Sequence, residues 1–286
     1  MNIGIVGQGF VGSAIREGLR SFYALHTFDI AKAEDFATDT IDELVKNSDI
    51  IFVCLPTPMR PSGECDTRIL EKAVLEIDDL SSRLDSGRKI IVIKSTVPPG
   101  TTHKLHTQSS QNCDVIFSPE FLTEANAFDD FKNQNRIILG GSRPATSTVK
   151  SMFSKAFPKA SIIKTGSRTA EMVKYFINCF LATKVSFANE IKQVCDSMDI
   201  DYDKVVEYAL YDDRIGRSHL SSPGPDGSYG FGGHCFPKDM NALMFLAREN
   251  DVEPEVLQAV WKKNLEVRAP SQRDWEKMRG RAVSED

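Results

Sequence analysis

No apolar stretch in this 286-residue sequence approaches the roughly 20 residues that a membrane-spanning helix requires. The six cysteines, at positions 54, 65, 113, 179, 195 and 235, form no C-x-x-C pair and have no histidine spacing of the kind that holds zinc. Basic residues, 35 against 40 acidic, are dispersed and not gathered in a stripe, so neither nucleic acid nor an anionic membrane is an expected partner. There is no internal repeat and no low-complexity segment. The first residues, Met1 to Val6, read directly as a strand. The expectation is a cytoplasmic protein, neither secreted nor membrane-anchored, with most cysteines reduced in its core.

What is present is the composition of a globular protein, 41% apolar and 26% charged, with a net charge of −5. Short apolar runs alternate with helical patterns over the first half: Asn2 to Val6, Tyr23 to Phe28, Ile50 to Leu55, Lys89 to Lys94, Asp114 to Phe117, Arg136 to Leu139 and Ser161 to Lys164. Runs of that length, apolar on both faces and separated by helices, predict a Rossmann-type doubly wound parallel sheet over residues 1–166. From Ser167 to about Met198 there is no glycine or proline, and apolar residues recur at helical spacing. One helix of about 30 residues, about 45 Å long, is predicted there. It opens an all-α domain over 167–286 whose wide apolar face suits a homodimer, although burial within one chain would account for it too. Further helices are expected around 237–249 and 255–268, after a glycine- and proline-rich loop, followed by a frayed polar tail beyond Pro270.

Gly7-Gln8-Gly9-Phe10-Val11-Gly12 follows the first strand and opens an amphipathic helix. Such a G-x-G-x-x-G turn carries a dinucleotide pyrophosphate on a helix N-terminus. Asp29, about 20 residues on at the end of the next strand, is placed to accept ribose hydroxyls and repel a 2′-phosphate, which favours NAD over NADP; as a plain turn residue it would carry no such meaning. Lys32 nearby softens that preference. Thr57 and Thr96 lie where strands end, the edge at which open sheets bind ligands, though both also suit ordinary turns.

Ser118-Pro119-Glu120-Phe121-Leu122-Thr123-Glu124 reads as a helix start with Ser118 as cap, which would put Glu120 and Glu124 on one face. Acidic residues there serve either chemistry or the helix dipole. On the long helix, Glu171, Lys174 and Asn178 share a face among apolar neighbours, as a site that holds a substrate oxygen or as a solvated stripe. Gly230-Phe231-Gly232-Gly233-His234-Cys235-Phe236-Pro237-Lys238-Asp239 sets one thiol after glycines with a cation close behind. That pattern fits a covalent nucleophile, against the plainer alternative of an inert buried cysteine.

Taken together, these motifs resemble the UDP-glucose 6-dehydrogenase family within the wider UDP-glucose/GDP-mannose dehydrogenases. Ser95-Thr96-Val97-Pro98, Arg136 to Gly141 and Arg214-Ile215-Gly216 extend the resemblance, which runs from residue 1 to about 268. The resemblance implies oxidation of a UDP-sugar C6 hydroxyl to the acid with two NAD. Cys235 would be the nucleophile and Lys174 with Asn178 would bind the reacting oxygen. Asp239 would act on the catalytic water or Lys174, and Glu120 and Thr96 would assist hydrolysis or proton transfer. Glu124 and Lys238 would lie on the cofactor side. Phe121, Leu122 and the loop 224–232, including Gly232, would contact the nucleotide sugar, with Arg214 reaching in from a second subunit.

Two departures stand out. His234 occupies a position commonly small in the glucose enzymes and more typical of an N-acetylmannosamine branch, whereas Lys238-Asp239 favours glucose. No resemblance to the family's further UDP-binding domain follows residue 268, so a shortened form is expected. Two other readings stay open, a single-step dehydrogenase like the β-hydroxyacid dehydrogenases and an idle NAD-binding dimer.

Overall fold

The computed structural model describes residues 1–30, 39–110, 112–123 and 126–285. Lys32 and Glu124 lie outside the described residues. The chain forms two compact units, one of Met1–Thr57 with Thr67–Lys174, the other of Pro58–Asp66 with Tyr175–Asp286.

The first unit is built on a seven-stranded sheet. Its strands are β1 (Asn2–Val6), β2 (Ala24–Phe28), β3 (Ile50–Val53), β4 (Lys89–Ile93), β5 (Cys113–Phe117), β6 (Arg136–Gly140) and β7 (Ser161–Thr165), in the order β2-β1-β3-β4-β5-β6-β7. Alternate residues serve opposite faces. Ile3, Ile5, Ile50, Phe52 and Val92 join one cluster with α1 (Phe10–Leu19), α5 (Ala127–Lys132) and α6 (Arg143–Ala156). Val6, Ile51, Val53, Ile91 and Ile93 join another with α2 (Ile41–Asn47), α3 (Arg68–Arg83) and α4 (Thr101–Gln108). Burial on both faces is what makes these strands continuous apolar runs in the sequence.

All seven expected strands form, and the Rossmann-type architecture is as expected. One pair departs from the parallel order. β1 to β5 are parallel, but β6 pairs antiparallel to β5 through Phe117 and Gly140, and β7 follows β6 in parallel. A strand buried on both faces has the same apolar pattern in either direction, so its polarity leaves no trace in periodicity.

The expected helix at Ser118 also does not form: residues 118–123 are irregular. Ser118 continues from β5 by donating its N–H to the carbonyl of Ile93, and a residue before proline is held away from helical geometry. Glu120 therefore does not stand on a helix.

In the second unit, α7 (Ser167–Ser197), which the first unit shares as far as Lys174, is a single helix of 31 residues. It is followed by α8 (Tyr202–Ala209), capped by the Asp201 carboxylate, then α9 (Cys235–Glu249) and α10 (Glu255–Val267). Cys179, Ala182, Phe231, Met240, Met244 and Val260 form the unit's main core. The segment beyond Pro270 is not frayed. Trp275 is buried against Trp261, with ring centroids 5.7 Å apart, and Ala282 is fully buried. Met59 donates its N–H to the carbonyl of Ala282 and accepts that of Ser284. Two tryptophan-sized apolar surfaces outweigh the polar composition that suggested disorder.

Candidate functional site

The first four crossings of the sheet are parallel, so the loops after β1, β3, β4 and β5 emerge at one edge. The order reverses between β1 and β3, and the glycine loop leaves β1 there, the place where open sheets of this kind take ligands. Gly7 has φ +91°, a left-handed conformation that glycine adopts without strain. A Cβ on Gly12 would stand 1.9 Å from the carbonyl oxygen of Gly7, so only glycine lets α1 begin this close to the turn. A Cβ on Gly9, by contrast, would meet nothing within 4 Å. Helix α1 starts at Phe10 and Val11 with no side-chain cap and no acidic residue in its first turn, which leaves its N-terminus suited to an anion.

Asp29 follows β2 and accepts the N–H of Gln8 at 2.6 Å, so the carboxylate expected at the ribose also fixes the loop's second residue. Thr57 donates to the carbonyl of Thr96 at 2.7 Å, and Ser95 donates to that of Leu55 at 2.6 Å. These bonds clamp together the loops after β3 and β4. The cradle thus fits a dinucleotide: a tight turn, an open approach at Gly9 and an acidic residue one strand away. Gly9→Ala is expected to leave unfolding stability within about 1 kcal/mol, because the methyl meets open space. It should weaken NAD at least about tenfold by standing where the pyrophosphate approaches. Calorimetric titration alongside urea unfolding checks both, and unchanged NAD affinity would remove the cradle from this position.

Further along the same edge, Glu120 and Lys174 form a buried pair. The Lys174 ammonium donates 2.8 Å bonds to both the Oε1 and the backbone carbonyl of Glu120, while Oε2 accepts the N–H of Leu122 at 2.7 Å. Burial alone would raise the Glu120 carboxyl, but Lys174, the Leu122 N–H and the charge of Lys94 outweigh it and hold the group below the usual carboxylate range. Phe121 lies under two cations, Arg136 at 4.4 Å and Lys174 at 5.7 Å from its ring centre. Glu171 has another duty from the one its helical face suggests. It is fully buried and accepts the N–H groups of Gly100 and Thr102 at 2.6 and 2.8 Å, capping α4.

In the second unit, Cys235 is the first residue of α9, two residues earlier than the helix expected from Pro237. Proline is at home in a first turn, so the helix runs back through it to the thiol. The side chain is half-buried. Lys238 and Asp239 pair at 2.5 Å, and the other Asp239 oxygen accepts from the Asn178 amide at 2.6 Å. Lys238, expected toward the cofactor, is thus committed to Asp239 within this unit. Burial works against its charge, but Asp239 and the thiols of Cys235 and Cys65 carry it above the ordinary lysine range. Among the other cysteines, burial pushes the Cys179 thiol well up and those of Cys54 and Cys113 to about 12, which leaves them inert.

The loop before Cys235 is held by residues that sequence reasoning passed over. Asn264, fully buried on α10, accepts the Phe231 N–H at 2.7 Å and donates to the Phe231 carbonyl at 3.1 Å. Asn189 on α7 accepts the N–H of Gly230, and Asp274 that of Gly233. Arg268, 3% exposed, pairs with Asp226 at 2.7 Å, and a Cβ on Gly232 would stand 2.3 Å from its guanidinium. Buried asparagines on otherwise apolar helix faces were the available signal. Arg214 is 87% exposed and bound to Asp212.

Residues 27–157 match the NAD binding domain of the UDP-glucose/GDP-mannose dehydrogenase family, and residues 168–266 match that family's central domain. The chain is 35% identical over 237 residues to UDP-glucose 6-dehydrogenase TuaD of Bacillus subtilis, across 81% of this chain and 49% of TuaD. It is 35% identical over 236 residues to UDP-glucose 6-dehydrogenase AglM of Haloferax volcanii, across 78% of this chain and 53% of AglM. The chain therefore spans about half the length of the curated relatives it matches. A solved UDP-glucose dehydrogenase from Pyrobaculum islandicum shares 28% identity with a TM-score of 0.84, covering 92% of this chain and 67% of that one. The cofactor is NAD, as the glycine loop predicts.

Proposed function

The chain belongs to the UDP-glucose/GDP-mannose dehydrogenase family, and on that premise we propose that it oxidises the C6 hydroxyl of UDP-glucose to the uronic acid, in the cytoplasm and as a homodimer. One observation carries the chemistry: Cys235 opens α9 beside the Lys238 ammonium, and a helix N-terminus and a neighbouring cation both stabilise a thiolate. NAD, when bound, supplies the hydride acceptor for both oxidations. Lys174 holds the reacting oxygen as the hydroxyl gives up its proton to water, and Glu120 keeps that ammonium oriented. The Cys235 sulfur adds to the aldehyde carbon as a thiohemiacetal, which the second oxidation turns into a thioester. Water then breaks the carbon–sulfur bond, the thiolate leaves and the carboxylate is released. Asn178 and Asp239 provide the polar groups for the oxygen and the water.

The deciding measurement is NADH formed per substrate consumed, with UDP-glucose, UDP-N-acetylmannosamine and GDP-mannose each supplied. Two NADH and an acid from UDP-glucose are expected. One NADH with a hydroxy acid as substrate would select the single-step reading, and no NADH from any would select the idle one. His234 is the residue that makes the N-acetylmannosamine arm necessary.

The dimer reading rests on α7, where Phe176, Phe180, Phe187 and Val194 recur at four- and seven-residue spacing and are all exposed, with Phe176 and Phe180 stacked at 6.1 Å. A continuous apolar stripe of this kind marks an association surface. Light scattering at micromolar concentration should give a dimer, and Phe180→Glu with Phe187→Glu a monomer. A monomeric wild-type protein would overturn the assignment and with it a role for Arg214 across an interface.

A further inference from the structure

Lys94 follows β4, in the middle of the sheet. It is 5% exposed, in a position where the neighbouring strand residues are apolar. Its ammonium donates to the carbonyl of Pro119 at 3.1 Å and to the Ser118 hydroxyl at 3.3 Å. Both acceptors belong to the irregular segment 118–122 that carries Glu120. Lys94 thus grips this segment immediately before Glu120, and Lys174 binds Glu120 itself.

An ammonium is among the costliest groups to bury, and a neutral donor would make the same two bonds. The groups acting on Lys94 are Cys54 from the end of β3, Glu120 from the segment after β5 and Lys174 from α7. The Cys54 thiol stays neutral, as burial holds it near 12, so Glu120 is the anion that two buried ammonium groups share. We propose that Lys94 is a positioning residue: in its charged form it draws segment 118–122 into the conformation that presents the Glu120 carboxylate and carbonyl to Lys174. Loss of its proton lets that arrangement loosen.

The physical consequence is a second titration beside the pair. Burial, reinforced by Lys174 and opposed by the Glu120 carboxylate, brings Lys94 down to about 8, within reach of ordinary assay conditions. Groups this close titrate as a coupled set, so proton loss at Lys94 is felt at Glu120. Turnover should fall as pH rises through that range, by loosening of Glu120 and not by loss of cofactor.

The test follows the Glu120 carboxyl carbon by NMR in the full chain carrying 13C-glutamate, assigned with Glu120→Gln. In the wild type the signal should inflect in the alkaline range where Lys94 titrates. Lys94→Arg, which keeps a charge that does not titrate, should abolish the inflection and leave the signal near its neutral-pH position. Lys94→Met should abolish it and leave the signal at a different position. A wild-type signal without that inflection, or one that persists in Lys94→Arg, overturns the proposal. This readout needs no substrate, so it stands apart from the dehydrogenase reading on which the kinetic arm rests. In that arm, Lys94→Met should lower kcat at least about tenfold with the KM for NAD unchanged, and Lys94→Arg should retain kcat and lose its alkaline fall. If Lys94→Met fails to fold, Lys94→Gln and the wild-type titration carry the same comparison.

Discussion

Cys235→Ser should release no measurable uronic acid, a loss of more than about 10³-fold, while its affinity for NAD stays within about twofold of wild type. A serine hydroxyl stays protonated beside the same Lys238 ammonium that supports a thiolate, so addition to the aldehyde fails. An alkoxide is also a poorer leaving group from the acyl intermediate. The residues of the proposed NAD cradle, Gly7 to Gly12 and Asp29, are untouched by the change. Acid release is read by chromatography and NAD affinity by titration. Acid formed at the wild-type rate would end the covalent reading and return Cys235 to the status of a packed thiol.

Removing Lys174 should be costly in two separate ways. Lys174 is 3% and Glu120 8% exposed, so Lys174→Ala leaves a buried carboxylate without its principal counter-charge. Losing one partner of such a pair typically costs about 3–5 kcal/mol. The pH dependence follows from the lowered Glu120 carboxyl. The pair's contribution is complete above the unfolded carboxylate value of about 4.3 and is lost as pH falls through the lower folded value. The stability gap between wild type and Lys174→Ala, read by urea unfolding, should therefore be widest near neutrality and close in acid. The double variant Lys174→Met, Glu120→Gln should recover part of the stability, because neither charge of the pair is then buried, while Lys94 loses the anion it shares. It should not recover turnover, which on the proposed role of Lys174 at the reacting oxygen falls about 10²–10³-fold when that group is lost. A variant that loses NAD affinity alone would place Lys174 at the cofactor.

Where structure depends on a local pattern, the sequence is readable residue by residue. The glycine loop, the carboxylate at Asp29, the seven strands and the unbroken helix from Ser167 all follow from short-range rules of spacing and conformation. What stays hidden depends on partners far along the chain. Ser118 and Pro119 satisfy rules for a helix start, yet Lys94 and the carbonyl of Ile93 claim the segment's polar groups. Glu171 reads as one member of a polar stripe, yet the N–H groups of α4 claim it. Asn189, Asn264 and Arg268 look like ordinary helix residues until the loop they bind is in place. The run beyond Pro270 is polar on average, and an average says nothing of where Trp275 and Ala282 point.

The pairing of Met59 with Ala282 and Ser284 sets a timetable for biosynthesis. More than two hundred residues separate the partners, which a ribosome adds in roughly 10–45 s. Throughout that interval residue 59 has been made and its backbone partners have not. Pro58–Asp66 therefore leaves the first unit as a segment whose own unit does not yet exist, while the β-strands on either side of it in sequence can already pair. Cys65, buried once the fold is complete, lies in this segment and is open to oxidants and chaperones until residues 282–284 have been made. Slowed elongation between residues 59 and 284 should lengthen that exposure and raise the fraction of nascent chains that thiol reagents capture at Cys65.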